Sequence, residues 1–152
     1  MSDAGPVLHA ARFDDLTPRQ LYAILRLRAE VFVVEQDCAY TDMDGRDAEP
    51  EAIQLWHEED GVVVSTARLL TETVDGVVTG RIGRIATLPS ARGRGLAGAM
   101  IRHGLEHFAG RPVVLGAQSQ LEAYYGGFGF VRCGDPYDED GIPHIPMRRE
   151  AA

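Results

Sequence analysis

Between Arg81 and Phe108 the chain passes from an extended, apolar-rich run through Pro89-Ser90-Ala91 and then Arg92-Gly93-Arg94-Gly95-Leu96-Ala97-Gly98 into a stretch of helical period. A strand, a glycine-rich loop and a helix in that order require the helix to fold back over a sheet. The same segment makes an anion site. The first N–H groups of a helix have no internal acceptors and carry the positive end of its dipole. Glycine at 93 and 95 exposes backbone that a side chain would shield, and Arg92 and Arg94 add donors suited to phosphate oxygens. The glycine spacing 93, 95, 98 is that of a dinucleotide fingerprint. However, the segment comes late, after antiparallel hairpins, and lacks the acidic residue about 20 positions further on; nor is it a Walker loop, which needs Gly-Lys-Ser/Thr. It suits a pyrophosphate held by backbone amides.

The surrounding sequence supplies a sheet and further helices. Val7 to Phe13 reads as a first strand, and Thr17-Pro18-Arg19-Gln20 as a helix start with Thr as N-cap, Pro at the first position and Gln three residues on. Apolar spacing carries that helix to about Val33. A polar loop through Asp42-Met43-Asp44-Gly45 leads to a strand from Ala52 to Glu58, a turn at Glu59-Asp60-Gly61 and a returning strand from Val62 to Thr71. After Asp75-Gly76, Val77–Thr79 and Arg81–Leu88 form the next strand, with a break expected at Gly80 or Gly83. A helix from Arg94 to Phe108 stops before Gly110 and Pro112. Val113 to Ala117 is wholly apolar, which predicts burial on both faces. Ser119 to Gly126 is a short helix capped by Ser119, and Phe128–Cys133 and Ile142–Arg149 are the last strands. The fold class is α/β (α+β), a central mixed sheet of about seven strands flanked by helices. With no repeats or linkers, one domain over residues 1–152 is expected.

Composition narrows the function. At 152 residues and 45% apolar content the chain can bury a core, and a net charge of -8 argues against nucleic acid. The charge is segregated: Arg81, Arg84, Arg92, Arg94, Arg102 and Arg111 lie in one stretch, while Asp42, Asp44, Asp47, Glu49, Glu51, Glu58, Glu59 and Asp60 dominate another. The first suits an anionic ligand and the second can attract a cationic one. Cys38 and Cys133 show no metal-ligand spacing, so no metal is expected. Met1 to Pro6 has no secretory pattern, and the run Val62–Leu70 is too short and too polar to span a bilayer. No membrane association and a cytoplasmic location are expected.

Arg92-x-x-Gly95-x-Ala97 after a strand resembles the acetyl-CoA signature of the GNAT acyltransferases, Gln/Arg-x-x-Gly-x-Gly/Ala. Leu121-Glu122-Ala123-Tyr124-Tyr125-Gly126-Gly127-Phe128-Gly129-Phe130 is similar to the family's following helix and Gly-Phe turn. Leu27 to Gln36 and Glu139 to Met147 resemble the ElaA-type branch, so the likeness runs from about Leu21 to Met147. It implies two parallel strands, Arg81–Leu88 and Val113–Gln118, splayed around the cofactor. Ile85, Ala86 and Thr87, with Gln118 on the facing strand, would line the pantetheine. Amides from Arg92, Gly93, Arg94, Gly95, Leu96, Ala97 and Gly98 would bind the pyrophosphate, and Tyr125 would stand beside the thioester as general acid.

The implied reaction is attack of a neutral amine on acetyl-CoA, with an amide near Ala86 or Thr87 as oxyanion donor. The family's frequent acidic residue before the phosphate loop is missing from Arg81–Thr87. Candidates for the base are Glu35, His57 and His144, or a water chain. Glu35 and Gln36 fall where the acceptor pocket is expected, and Arg28 can bind a substrate carboxylate or pair with Glu35. The partners implied are acetyl-CoA, an amine acceptor and, as in many family members, a second copy in a homodimer. Two alternatives stand beside this reading: an acyl-CoA-binding sensor without catalysis, and an enzyme like the acyl-homoserine-lactone synthases.

Overall fold

Three Asp-Gly turns set the antiparallel framework. Asp60-Gly61, Asp75-Gly76 and Asp140-Gly141 all have positive φ, the two-residue geometry that matches the twist of paired strands. The computed structural model describes residues 5–151. The turns join β2 (Ile53–Glu59) to β3 (Val62–Val74), β3 to β4 (Val77–Thr87), and β7 (Tyr137–Glu139) to β8 (Ile142–Arg149). With β1 (Val7–Arg12), β5 (Val113–Gln118) and β6 (Val131–Arg132) they form one sheet in the order β1-β2-β3-β4-β5-β8-β6, β7 pairing with β8. Among the described residues the sheet has eight strands, close to the expected number, the additional one being β7, and only the β4–β5 contact is parallel.

Helices cover both faces. α1 (Pro18–Arg28) opens on the expected capping box between Thr17 and Gln20. Beyond Arg28 the chain keeps turning as a π-helical segment, Ala29–Glu35, a wider winding that apolar spacing does not reveal. α2 (Leu96–His107) lies on the other face. Leu55, Ala67, Leu69 and Ile82 pack with its Met100 and Ile101. At Gly104 a Cβ would stand 2.9 Å from both Leu69 and Ile82, so the helix presses onto the sheet there. The alternate residues Gln54, Thr66 and Arg68 turn to the α1 face.

Several local expectations change. β4 has no break at Gly80, whose N–H bonds Pro112 O and where any side chain would overlap the Phe108 ring. The irregularity is a bulge. Arg68 pairs with Gly83 and Thr66 with Ala86, so Ala67 opposes both Arg84 and Ile85, and Arg84 has φ 50°. β5 is buried through Val113, Leu115 and Ala117 but not on both faces, since Gly116 is exposed. Ser119 does not cap α3 (Glu122–Gly126). A 3₁₀ turn over Ser119–Leu121 precedes the helix, and no side chain caps either. The Phe128–Cys133 strand shrinks to β6.

Candidate active site

β4 and β5 share only the pairs Gly80–Val113 and Arg81–Val114, then part. Register identifies what lines the gap. Leu88 N–H bonds Val64 O, so by alternation Leu88 and Ala86 turn their backbone groups to β3, while Ile85 and Thr87 turn theirs into the gap. The Arg84 bulge sets this phase; without it Ala86 would face the gap. On the far wall, Pro146 has no N–H and its carbonyl is taken by Cys133 N–H. Its partner Gly116, and with it Gln118, therefore points N–H and C=O toward β4. The notch thus has two unpaired strand edges. Ala86 belongs to it only as an apolar wall, buried against Leu27 and Val31, and its amide is not an oxyanion donor.

The start of α2 sits at one lip. Gly93 and Gly95 both have φ 76°, and a Cβ on either would meet nothing within 4 Å, so the backbone there is bare toward solvent. Gly95 is the N-cap with no side-chain cap, and the first intrahelical bond is Ala99 N–H to Gly95 O. The amides of Leu96, Ala97 and Gly98 are left for a ligand. Leu96 anchors the turn against Val64 and Ala91. The arginines are engaged elsewhere. Arg92 donates from Nε to Thr87 O at 3.0 Å and from Nη2 to Glu35 at 2.7 Å, and Arg94 grips Glu59 with both ends of its fork, at 2.9 and 2.6 Å.

Tyr125, on α3 beyond β5, is 8% exposed and packs edge-on against Tyr124 and Phe130. Burial, with Tyr124 beside it, raises its pKa to about 12. His144 pairs with Gln118 across β5–β8 and is fixed on two sides, with a third contact, to Glu139, that becomes a bond only when Nε2 is protonated. Nδ1 lies 2.7 Å from Ile142 O, the ring stacks on Tyr137, and Nε2 is 3.4 Å from Glu139. A carbonyl only accepts, so Nδ1 carries the proton and the lone pair of the neutral ring is on Nε2. β7, absent from the sequence reading, carries this support, and the Tyr137 hydroxyl fills the space that any side chain at Gly116 would need.

The end of the π-helical segment bridges the mouth of the notch. Glu35 is held by Arg92 at one lip, and Cys38 Sγ donates to Asp140 O in the β7–β8 turn at the other, 3.3 Å away. Glu35 and Gln36 therefore fall on the stretch of chain between these two ties. The hydrogen bond from Arg92, against a smaller opposing effect of burial, holds the Glu35 carboxyl below its ordinary range.

Two expected residues are elsewhere. Arg28 neither lines the opening nor touches Glu35. It is fully buried, bonding Asp42 at 2.8 Å and Asp47 at 2.6 Å. Arg68 joins Asp44 and Asp47, and Arg84 joins Asp42 and Asp44. The Asp42–Asp47 stretch is consumed by these arginines and is not a lure for a cationic acceptor. His57 is buried under α2 with Nδ1 2.6 Å from Ser65 Oγ, and burial and then His9 lower its pKa. It stands on β2, separated by Ser65 of β3 from Thr87 at the notch edge.

A mixed sheet that opens between two parallel strands, with a bare helix start at the gap, defines the acyl-CoA N-acyltransferase fold. The chain belongs to the GNAT acetyltransferases: the model of the acetyltransferase (GNAT) domain matches residues 14–151. It lies in the ElaA-type branch. Protein ElaA of Escherichia coli is 39% identical over 140 residues, covering 90% of this chain and 91% of ElaA. A UPF0039 protein of Mycobacterium tuberculosis is 46% identical over 136 residues, 89% of this chain and 87% of its own. Among solved structures, an acyl-CoA N-acyltransferase from Pseudomonas aeruginosa superposes with TM-score 0.87 at 41% identity, over 95% of this chain and 99% of that one. E. coli ElaA superposes with TM-score 0.86 at 35% identity, over 96% and 100%.

Proposed function

We propose that the chain transfers an acetyl group from acetyl-CoA to a primary amine of a small molecule or peptide by direct attack. The observation that carries this reading is the notch, with two unpaired strand edges, a bare helix start at its lip and Tyr125 beyond β5. Acetyl-CoA would supply the activated thioester. Amides between Gly93 and Gly98 would hold its pyrophosphate. The edges at Ile85 and Thr87 and at Gln118 would take the pantetheine as an added half-strand, an amide of Ile85 or Thr87 receiving the oxyanion. The amine nitrogen forms the new C–N bond as the C–S bond breaks, and the electron pair leaves on sulfur. Tyr125, still protonated at neutral pH, donates to that thiolate, and His144 Nε2 takes the proton from nitrogen. Glu35, already ion-paired, lines the acceptor opening with Gln36 rather than acting as base. Most of the acceleration comes from positioning the two substrates.

The test is thermal unfolding of wild type and Gly95→Trp with and without acetyl-CoA, followed by turnover on a panel of amines. Ligand at a hundred times its dissociation constant adds roughly 2.7 kcal/mol, a rise of roughly 5–11 °C for a domain of this size. Gly95→Trp places an indole over the bare backbone and should abolish the rise. No rise in folded wild type refutes the reading. A rise without transfer to any amine supports an acyl-CoA sensor instead.

A further inference from the structure

We propose that Arg102 and Tyr124 form a second phosphoryl site, one helical turn above the Arg92–Gly98 loop, that recognises the 3′-phosphate of the CoA nucleotide. This rests on the acyl-CoA reading of that loop. The basic stretch is largely neutralised from within. Arg81 pairs with Glu72, Arg84 with Asp42 and Asp44, Arg92 with Glu35 and Arg94 with Glu59. Among the described residues Arg102 makes no ion pair, although Glu106 follows one turn along α2.

Its guanidinium instead lies back over the start of the helix. Side chains on a helix lean toward its N-terminus, and positions four apart share a face. Arg102 Nη1 is accordingly 3.4 Å from where a Cβ on Gly98 would stand. The Phe128 ring at 3.5 Å and the Tyr124 hydroxyl at 3.6 Å border the same bare patch. Tyr124 is 44% exposed and packs edge-on against Phe128. An unpaired cation, a hydroxyl donor and aromatic surface therefore meet one turn from the amides that would hold the pyrophosphate. The 3′-phosphate of CoA sits on the ribose that carries the pyrophosphate. A guanidinium fork with a phenol beside it matches that dianion, and the aromatic surface suits the adjoining base.

The test is calorimetric binding of CoA and of 3′-dephospho-CoA to wild type, Arg102→Gln and Tyr124→Phe. Wild type should prefer CoA by on the order of tenfold. Arg102→Gln should lose that preference while binding dephospho-CoA within about twofold of wild type, and Tyr124→Phe should reduce it. Equal affinity of wild type for the two nucleotides overturns the proposal, as does equal weakening of both in Arg102→Gln. Should Arg102→Gln not fold, Tyr124→Phe carries the same comparison. If neither nucleotide binds folded wild type, the loop reading itself fails, an outcome distinct from loss of the preference alone.

Discussion

Replacing Arg28 with Met separates a structural from a substrate-binding role. Met keeps most of the buried stem and removes the guanidinium, which bonds Asp42 Oδ2, both carboxylate oxygens of Asp47 and the Asp42 carbonyl. Burial disfavours the charge on Arg28, but Asp47 and Asp42 outweigh that and raise its pKa. Removing one partner of a buried pair costs roughly 3–5 kcal/mol because the other charge is stranded. Here Arg84 still reaches Asp42 at 2.8 Å and Arg68 reaches Asp47 at 3.4 Å, which places the loss near the low end, about 3 kcal/mol. At about 2–4 °C per kcal/mol the melting temperature should fall by roughly 6–12 °C. Thermal and urea unfolding measure this directly, and adding Asp47→Asn should recover part of the loss. A fall of less than about 2 °C together with a raised KM for the amine would show that Arg28 serves the acceptor, and would refute the argument.

Tyr125→Phe should lower kcat by about 10²-fold or more if the hydroxyl protonates the thiolate, with the melting temperature and acetyl-CoA affinity nearly unchanged; unchanged kcat removes the residue from the mechanism. Glu35→Gln should leave kcat within about threefold, where loss of a general base would cost about 10²-fold, and should tighten acetyl-CoA binding as Arg92 is freed. Steady-state kinetics at low and high salt distinguishes the two results. Acid should unfold the protein through the Asp42–Asp47 stretch. Burial would raise the Asp44 and Asp47 carboxyls, but Arg68, with the Arg46 N–H, at Asp44 and Arg28 at Asp47 outweigh it and hold both below their ordinary range. Depressed carboxyls stabilise above their unfolded value and lose that contribution as pH falls through the folded one, so the melting temperature should drop between about pH 4 and pH 2. A flat profile there contradicts the network.

What the sequence by itself determined is local and periodic. The capping box at Thr17, the Asp60-Gly61 and Asp75-Gly76 turns and the glycine loop opening α2 all arise from backbone preferences of a few adjacent residues, and each is readable from them. The Asp140-Gly141 turn carried the same signal for β7, and the four-residue spacing of Gly98 and Arg102 marked them as one face of α2. Tertiary structure alone decided the rest, because it depends on residues far apart in sequence. The π-helical winding before Glu35 has no local signature, and Gly83 signals an irregularity in β4 but not its register, which selects Ile85 and Thr87 rather than Ala86 to face the notch. Charge partners were equally hidden. Arg28, Arg68 and Arg84 meet Asp42, Asp44 and Asp47 only once α1, β3 and β4 share a face, and that meeting turns an acidic stretch into a buried clamp. Side-chain type shows which groups can ionise; packing decides which are already satisfied and which, like Arg102, have no ion-pair partner among the described residues.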